Sequence, residues 1–338
     1  MVSNMLPDAE HPERGRFVRD QVAALRRLEG LDVELYEFPP GGRALARSAL
    51  DLRRRFAASQ AAPGEPRSAR RRRRRGFDVV HAHFGLTAWP AATVPARVRA
   101  LTIHGTDLLH PRTRIATIAA FPLIDLLATV SSSLARELPG RAARRRAQVL
   151  PCGVDVERFH QIPRAQARTQ LRLDQERPYV LFPADPSRAE KRHDRALALA
   201  LQSGAELLTL GAVDPLEVPL WVNAANAVLV PSEREGFGLA VVEALACDVP
   251  VLATPVGIHP EALAGVQGAL CAPFDLGLWR AALEPHLRAG EHRVAGRRAA
   301  MRFSAEAMAG RVATAWYRAL QRSGRSSGDP GSPPDSMD

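Results

Sequence analysis

The chain has 338 residues, which is long enough for two domains that each bury a hydrophobic core. Hydrophobic residues make up 46% of it and aromatic residues 5%, which fits a soluble α/β protein. The 3 cysteines lie far apart in no metal-ligand spacing, which argues against a disulfide framework, and no apolar run reaches transmembrane length. Because no secretory leader opens the chain, we expect a cytoplasmic protein. The net charge of +10 comes almost entirely from arginine, since Lys191 is the only lysine.

The first predicted elements alternate between strand and helix. Residues 1–5 have the character of the end of a strand, and the next segment places Val18, Val22 and Leu25 on one face of a helix. Residues 31–36 alternate in polarity as a second strand. This order is typical of a domain built on a parallel sheet.

Residues 39–76 lose this pattern and include the arginine run Arg70–Arg75. Arg43 and Arg47, with further arginines at 53–55, indicate one basic helix inside the segment. Adjacent like charges repel each other, which favours a solvated loop for the run. An anionic lipid surface is the first alternative, where each arginine contributes roughly 1 kcal/mol. Nucleic acid is the second, but no aromatic residues interleave the run to stack on bases, so we expect no specific nucleic-acid partner.

Two strands that carry histidines follow, in residues 77–85 and 99–107. His81 and His83 lie on one face of the first strand, a spacing that a metal site can use. Because a third ligand is missing, we interpret both as packed or hydrogen-bonded side chains and predict no metal. His104 ends the second strand. Ligands bind at the carboxyl ends of parallel strands, so we expect these histidines to face a cleft.

A second domain is predicted to begin after a link at residues 164–177. Residues 178–182 form its first strand, and Arg188 and Lys191 follow at a predicted helix start. Two cations three residues apart at such a place can bind one diphosphate, although generic surface charge is the alternative. A further strand ends in a turn at Gly211.

The most informative stretch is residues 227–253, where a buried strand runs into the glycine turn 236–238 and a helix opens at Leu239. Free N–H groups and the positive end of the helix dipole at such a turn favour a phosphate. Glu235 precedes the turn and Glu243 lies in the helix. Ionised carboxylates at these positions are suited to accept hydrogen bonds from sugar hydroxyls. For an isolated pair of glutamates, a solvated surface remains the alternative.

The spacing of Glu235 and Glu243, together with the residues between them, resembles the E-x7-E signature of retaining, nucleotide-sugar-dependent glycosyltransferases of family 4. The similarity extends to residues 254–261, which look like the family's downstream loop, and to residues 104–107, which look like its HGxD element. Residues 151–155 resemble its P-N-G-V-D phrase, with a cysteine in place of the usual asparagine. The resemblance covers nearly the whole chain except residues 39–76 and the C-terminal residues 323–338.

The resemblance implies the GT-B architecture, in which two Rossmann-like α/β domains face each other across a cleft. It implies an N-terminal acceptor domain at 1–163 with an irregular, arginine-rich insertion at 39–76. A C-terminal nucleotide-sugar-binding domain would occupy 164–322, and a disordered tail 323–338. The implied reaction moves a sugar from a nucleotide donor, such as a UDP- or GDP-sugar, to a hydroxyl of an unidentified acceptor. It retains the anomeric configuration and uses no metal or other cofactor.

The resemblance also assigns roles to individual residues. His104 would lie against the donor sugar, Glu235 would position that sugar, and Arg188 and Lys191 would stabilise the leaving phosphate. These four are the predicted catalytic residues. The predicted donor-binding residues are Gly15, Arg188, Lys191, Gly211, Glu235, Gly236, Phe237, Gly238, Leu239 and Glu243.

Two other functions fit the same architecture. A phosphorylase needs a lysine for pyridoxal phosphate, and Lys191 belongs to the phosphate motif instead. A degenerate homologue that binds nucleotide sugars as a scaffold is the second, because Cys152 departs from the family and the first strand is short. The arginine clusters Arg70–Arg75 and Arg141–Arg146 add peripheral contact with the inner face of an anionic membrane to the expected partners.

Overall fold

The structure is a computed structural model that describes residues 1–8, 14–57, 76–211, 213–288, 290–291 and 293–326. Two sheets made only of parallel strands organise these residues. The run Arg70–Arg75 lies outside the described residues, as do residues 327–338 of the predicted tail. In the part of the chain that is described, no helix is both long and apolar enough to cross a bilayer.

The first sheet has the strand order β2-β1-β3-β4-β5-β6. Its strands are β1 (Val2–Ser3), β2 (Tyr36–Glu37), β3 (Phe77–His83), β4 (Ala96–Ile103), β5 (Leu126–Thr129) and β6 (Gln148–Val149). The helices of this half are Arg16–Arg26, Gly42–Ala57, Ala88–Ala92, Pro111–Ala120, Ser132–Glu137 and Arg141–Arg146. The second of them confirms the basic helix predicted inside the irregular segment.

The second sheet has the strand order β11-β10-β9-β7-β8. Its strands are β7 (Tyr179–Phe182), β8 (Glu206–Thr209), β9 (Ala227–Val230), β10 (Val251–Ala253) and β11 (Leu270–Cys271). The helices of this half are Arg164–Leu171, His193–Ser203, Val218–Ala224, Leu239–Ala246, His259–Leu263, Leu276–Arg288 and Arg297–Ala300. Val228 pairs with both Leu181 and Val251, which places β9 in the middle of the sheet.

The central strands form because their sequences are continuous apolar runs. Every residue of β5, β7 and β9 is buried, as expected for parallel strands that helices cover on both faces. In the second half, Phe182, Leu229 and Trp279 belong to one fully buried cluster. Burial of such side chains stabilises the fold by about 1.5–3 kcal/mol each relative to exposure. The predicted pair of α/β domains with parallel sheets is therefore confirmed.

The C-terminal helix Ala305–Ser326 returns to the first sheet. Its residues Met308, Val312 and Trp316 share a buried cluster with Leu25 and Val98 of the N-terminal half. The sequence prediction placed residues up to 322 in the second domain and residues 323–338 in a disordered tail. Both parts of this prediction need correction, because the helix packs on the first domain and continues to residue 326.

The chain passes between the two halves at two adjacent segments. Val154 N–H donates to the Phe303 carbonyl at 2.8 Å, and Ala305 N–H donates to the Val154 carbonyl at 2.8 Å. A Cβ atom on Gly153 would lie 2.9 Å from the Ala305 Cα, so the close approach requires glycine. Cys152, next to it, is buried as a free thiol. The domain boundary after residue 163 remains a prediction.

Two local elements differ from the sequence prediction. The strand predicted over residues 31–36 is reduced to Tyr36–Glu37, because β1 offers only two residues for pairing. The helix predicted at Arg188 and Lys191 begins only at His193, after a single 3-10 turn at Ala189–Lys191. Arg192 adopts φ 58°, a left-handed conformation that separates this turn from the helix.

The carboxyl ends of the two sheets meet at a backbone contact. A Cβ atom on Gly236 would overlap the carbonyl oxygen of His104, and one on Gly105 would lie 3.1 Å from the Gly236 Cα. Ser131 Oγ donates a hydrogen bond to the Gly236 carbonyl at 2.7 Å. The loop after β9 therefore lies directly against the loops after β4 and β5, and the two halves face each other there.

We expect Gly236→Ala to lower the thermal unfolding midpoint. The added methyl would overlap backbone, which cannot move without separating the domains, and such overpacking costs about 1–3 kcal/mol. Gly310→Ala is the matched control, because its added methyl meets no atom within 4 Å and lies inside the C-terminal helix. That control should stabilise by roughly 0.5–1 kcal/mol. If both variants unfold alike, the contact between Gly236 and His104 does not form in solution.

Candidate functional site

Lys191 and Glu235 form a bidentate ion pair at the carboxyl end of the second sheet. The Lys191 Nζ lies 2.7 Å from each carboxylate oxygen of Glu235. Ser232 Oγ donates a further hydrogen bond to Oε1 at 2.8 Å. The two charged side chains are only 15% and 9% exposed, so little water screens their attraction. The structure thus places the only lysine of the chain directly on the first glutamate of the E-x7-E spacing.

Arg188 has a different partner from Lys191. Its Nε and Nη2 both donate to Glu190 Oε1, at 3.0 and 2.6 Å, and its side chain is half exposed. Ion pairs as exposed as this one contribute little to stability. The structure therefore does not bring the two predicted phosphate ligands to a shared group, and their joint role stays a prediction.

The turn after Glu235 packs against residues 254–259, which include the buried His259. Ile258 N–H donates to the Phe237 carbonyl at 2.8 Å. Gly238 adopts φ 103°, and a Cβ atom there would overlap the imidazole of His259. His259 Nδ1 lies 2.8 Å from the Thr254 carbonyl oxygen, so Nδ1 carries the ring proton. Burial lowers the pKa of His259, which favours the neutral ring.

The amides of the glycine turn are the next polar feature at this edge of the sheet. Among the described residues, the N–H groups of Gly236, Phe237 and Gly238 donate no hydrogen bond to a backbone or side-chain acceptor. Leu239 then begins the helix Leu239–Ala246. Unpaired N–H groups at a helix N-terminus form an anion-binding site. The predicted glycine turn and helix start are both present as predicted.

Glu243 faces the first domain from within that helix. The charges of Arg158, Asp20 and Arg16 act on its carboxylate, and the last two residues belong to the N-terminal helix Arg16–Arg26. Burial raises the pKa of Glu243 to about 7, and Arg158 opposes this shift. Burial also raises the pKa of Asp20. The second glutamate of the motif therefore lies in the cleft, where its charge is poorly solvated.

His104 lies opposite, on the first domain. Its ring packs against the rings of Phe17 and Phe84, with centroid distances of 5.0 and 4.5 Å, and those two rings also contact each other. Its Nε2 lies 3.0 Å from Nδ1 of His83. Burial lowers the pKa of His104 well below 6.5, so the ring is neutral at physiological pH. His104 lies next to Gly236 of the other half, whereas His81 and His83 are buried, so the prediction that these two also face the cleft is wrong.

Asp107 fixes the backbone that carries His104. Its carboxylate accepts hydrogen bonds from the N–H groups of Gly85, His104 and Gly105, at 2.5, 2.6 and 3.2 Å. Burial raises its pKa, while these backbone hydrogen bonds lower it. Asp107 thus joins the loops after β3 and β4, which accounts for the acidic residue of the HGxD phrase.

Gly15 and Gly211, the two predicted donor-binding glycines outside the turn, lie in opposite halves of the chain. Gly15 adopts φ 72° at the start of the helix Arg16–Arg26, and a Cβ atom there would overlap the Met5 carbonyl oxygen. Gly211 follows β8, and a Cβ atom there would lie 3.3 Å from Pro186. Glycine is required at position 15 for close backbone packing, whereas at position 211 an added Cβ would make only a tight contact with a proline side chain. Their contact with a donor remains a prediction.

Sequence reasoning missed three contributors to the site. Asp107 is the acidic residue of the HGxD element, and its spacing from His104 was the signal for its backbone role. Ser131 caps the helix Ser132–Glu137, because its Oγ accepts a hydrogen bond from Leu134 N–H at 3.2 Å. Its bond to Gly236 spans 105 positions and has no local signal. His83 was placed on a face of β3, but its contact with His104 depends on the pairing of β3 with β4.

No metal site accompanies these groups in the part of the chain that the structure describes. Within it, there is no cluster of three or more histidine, cysteine, aspartate or glutamate side chains that could hold an ion. His81, the other strand histidine, is bound by Thr102 and Trp316 instead.

Each half of the chain matches a family model. Residues 15–158 match the model described as Glycosyltransferase Family 4. Residues 165–301 match the model described as Glycosyl transferases group 1. The two matches divide the chain where the structure divides it into two sheets.

Named relatives and solved structures agree with these matches. The D-inositol 3-phosphate glycosyltransferase of Thermobispora bispora is 29% identical over 73% of this chain and 72% of its own length. The protein of that name from Gordonia bronchialis is 30% identical over 62% of this chain, which spans only 58% of that relative. Anabaena Alr3699/HepE, solved with UDP and glucose, has a TM-score of 0.65 at 18% identity and covers 94% of this chain and 100% of its own. These matches to both halves of the chain, together with the shared architecture, support its assignment to the GT-B glycosyltransferases.

Proposed function

We propose that the protein transfers a sugar from a nucleoside diphosphate donor to a hydroxyl group of an acceptor, with retention at the anomeric carbon. The observation that carries this proposal is the Lys191–Glu235 ion pair beside the unpaired amides of the glycine turn. A cation, a helix N-terminus and a carboxylate at one edge of a sheet match the charges of a sugar diphosphate and the hydroxyls of its sugar.

When the donor binds, the ion pair separates and each of its two residues contacts the donor instead. A diphosphate carries more negative charge than a carboxylate, so Lys191 binds the phosphate when the donor enters. Glu235 is then released to accept hydrogen bonds from hydroxyls of the sugar. As the nucleoside diphosphate departs, Lys191 and the turn amides stabilise the charge that develops on it. No divalent metal is needed for this step.

The first domain closes the other side of the site. His104 faces the transferred sugar, because its carbonyl already lies against Gly236 of the donor-binding turn. Glu243 accepts hydrogen bonds from ribose hydroxyls at the cleft. The acceptor hydroxyl attacks from the first domain on the same face that the leaving group vacates, and we assign no protein nucleophile.

The most direct experiment incubates the protein with a panel of UDP-, GDP- and ADP-sugars and follows donor hydrolysis. Candidate acceptors are then added, beginning with D-inositol 3-phosphate because relatives carry that name. A donor-dependent product supports the proposal. A donor that raises the unfolding temperature but is never turned over with any acceptor would favour a nucleotide-sugar-binding scaffold instead.

The phosphate contact predicts a selective loss in Lys191→Ala. Charge-assisted contacts of this kind contribute about 1.5–3 kcal/mol, so the affinity for the nucleoside diphosphate should fall roughly 10- to 100-fold. The affinity for the free nucleoside should stay within about twofold of the wild type. Isothermal titration calorimetry on both ligands measures the difference.

Two further variants sharpen this test. Lys191→Ala/Glu235→Gln should lose the same affinity, which excludes repulsion from an unpaired Glu235 as the cause. Arg280→Ala removes an exposed charge from the helix Leu276–Arg288 and should bind normally. Equal losses for nucleoside and diphosphate in Lys191→Ala would place the phosphate elsewhere.

The two glutamates should differ in their kinetic effects. Glu243→Gln should chiefly raise the donor KM, because ribose contacts are alike in the ground and transition states. Glu235→Gln should chiefly lower kcat, because its sugar is the part that changes. With a pKa of about 7, Glu243 should also weaken wild-type donor binding as pH falls through 7, since the ionised form accepts the hydroxyls.

Steady-state kinetics at pH 6 and pH 8 test these statements together. The pH dependence of donor affinity should disappear in Glu243→Gln and persist in Glu235→Gln. Wild-type kinetics in both variants would remove both glutamates from the site.

We also propose peripheral contact of the first domain with anionic membranes at the cytoplasmic face. The helix Gly42–Ala57 exposes Arg43, Arg47 and Arg53, and the run Arg70–Arg75 follows it in sequence. The cluster Arg141–Arg146 also has a structural role. Arg144 donates a hydrogen bond to the Leu138 carbonyl, and Arg146 donates to the carbonyls of Phe121 and Ile124.

Co-sedimentation with vesicles tests the membrane contact. The protein should bind anionic but not neutral vesicles and should dissociate as the Debye length falls from about 10 Å at 0.1 M salt to about 3 Å at 1 M. Replacement of Arg70–Arg75 by Gly/Ser should reduce binding and leave donor hydrolysis intact. The control Arg280→Ser/Arg288→Ser removes exposed charge from the second domain and should bind as the wild type does. A wild type that stays in the supernatant refutes the contact.

A further inference from the structure

Three imidazoles lie together at the ends of β3 and β4. The rings of His81 and His83 stack with a centroid distance of 4.8 Å and an interplanar angle of 20°. The ring of His83 in turn lies 5.2 Å from that of His104. Both strand histidines are buried, and the proposed reaction uses only His104 directly.

The proton position on His81 follows from its partners. Trp316 Nε1 lies 3.0 Å from His81 Nδ1, and an indole nitrogen can only donate. His81 Nδ1 is therefore an acceptor without a proton, and the ring proton resides on Nε2, which lies 2.8 Å from Thr102 Oγ1. Burial lowers the pKa of His81 to about 3, so the ring stays neutral. A helix from the C-terminal end of the chain thus fixes this tautomer.

The proton position on His83 follows from what its second nitrogen lacks. Its Nδ1 lies 3.0 Å from His104 Nε2, so one of these two atoms carries the proton between them. Its Nε2 is buried and has no hydrogen-bond partner among the described residues. If His104 were the donor, the proton of neutral His83 would reside on that buried Nε2 as an unpaired N–H. Orphaned buried donors are rarer than orphaned acceptors, so Nδ1 carries the proton and donates to His104.

This assignment leaves a single tautomer for His104. Its Nε2 accepts from His83 and carries no proton, so the proton of the neutral ring lies on Nδ1. Burial lowers the pKa of both rings, which keeps a second proton off the pair. Among the described residues, no other side chain hydrogen-bonds the His104 ring, so its Nδ1–H remains for a ligand in the cleft.

We propose that His83 is a positioning residue that holds His104 in its Nδ1–H tautomer and so gives the cleft a fixed, uncharged hydrogen-bond donor. The role of that donor rests on the proposed function, in which it bonds an oxygen of the transferred sugar. Stacking on His81, itself fixed by Trp316, keeps the His83 ring in the required plane. His83 touches no reacting atom and acts only through His104.

The tautomer can be measured without any substrate. Long-range proton–nitrogen NMR spectra of protein labelled with nitrogen-15 histidine distinguish the Nδ1–H, Nε2–H and cationic rings, and His104→Asn assigns the His104 signals. We expect the Nδ1–H form for His104 and His83 and the Nε2–H form for His81, unchanged between pH 6 and pH 8. An Nε2–H signal for His104 would overturn the proposal, whether or not the protein is a transferase.

Variants of His83 test the functional consequence. His83→Leu removes the donor to His104 and also the orphaned nitrogen, so stability should change little while the Nδ1–H signal of His104 gives way to a mixture of tautomers. In that variant we expect kcat to fall about tenfold, with the affinity for the nucleoside diphosphate within about twofold of the wild type. His83→Asn keeps an N–H near the Nδ1 position and should restore kcat to within about threefold.

The outcomes separate three cases. Wild-type kcat and an unchanged His104 tautomer in His83→Leu would refute the positioning role. Equal losses of kcat in the Leu and Asn variants, with lowered unfolding temperatures, would show a purely structural role and also refute it. A wild type that turns over no nucleotide sugar would refute the proposed function, while the NMR spectra would still decide the tautomer.

Discussion

The close approach of Gly236 to the His104 carbonyl oxygen is the constraint on which the site depends. It brings the carboxyl ends of two parallel sheets into contact, so a turn with unpaired N–H groups and a strand end that carries imidazole share one cleft. Only glycine allows this distance, and Ser131 Oγ adds a hydrogen bond to the carbonyl of Gly236 itself. Asp107 fixes the loop after β4, on the first domain, by accepting hydrogen bonds from three backbone N–H groups. Backbone contacts therefore set the geometry of the candidate site, and the side chains are placed on that frame.

Charge in the cleft is arranged so that a ligand replaces contacts that already exist. Lys191 and Glu235 satisfy each other while the site holds no donor, which avoids the cost of an unpaired charge in a poorly hydrated place. Glu243 avoids the cost of an unpaired charge in another way, because its raised pKa allows its carboxyl group to be neutral near pH 7. On the first domain, the imidazoles are kept neutral by burial. The proposed donor, with a diphosphate and several hydroxyls, would supply both kinds of partner.

Sequence reasoning succeeded where the signal is local and failed where it is not. The apolar run of β9, the glycine turn and the start of the following helix were predicted because each depends on adjacent residues. The ion pair of Lys191 with Glu235 joins positions 44 apart, and the bond of Trp316 to His81 joins positions 235 apart. Neither leaves a pattern in one sequence. The return of the C-terminal helix to the first sheet was missed for the same reason, since amphipathic spacing does not name the surface that the helix covers.

The two adjacent crossings between the domains limit how the molecule can move. A single linker would let the domains rotate freely about it, but here the segments at Val154 and Ala305 hydrogen-bond to each other over the same boundary. Two parallel connections side by side resist twisting and leave bending about the line through both as the soft motion. We therefore expect any opening of the cleft to be a hinge motion about that line, after which Gly236 would meet His104 again in the same register.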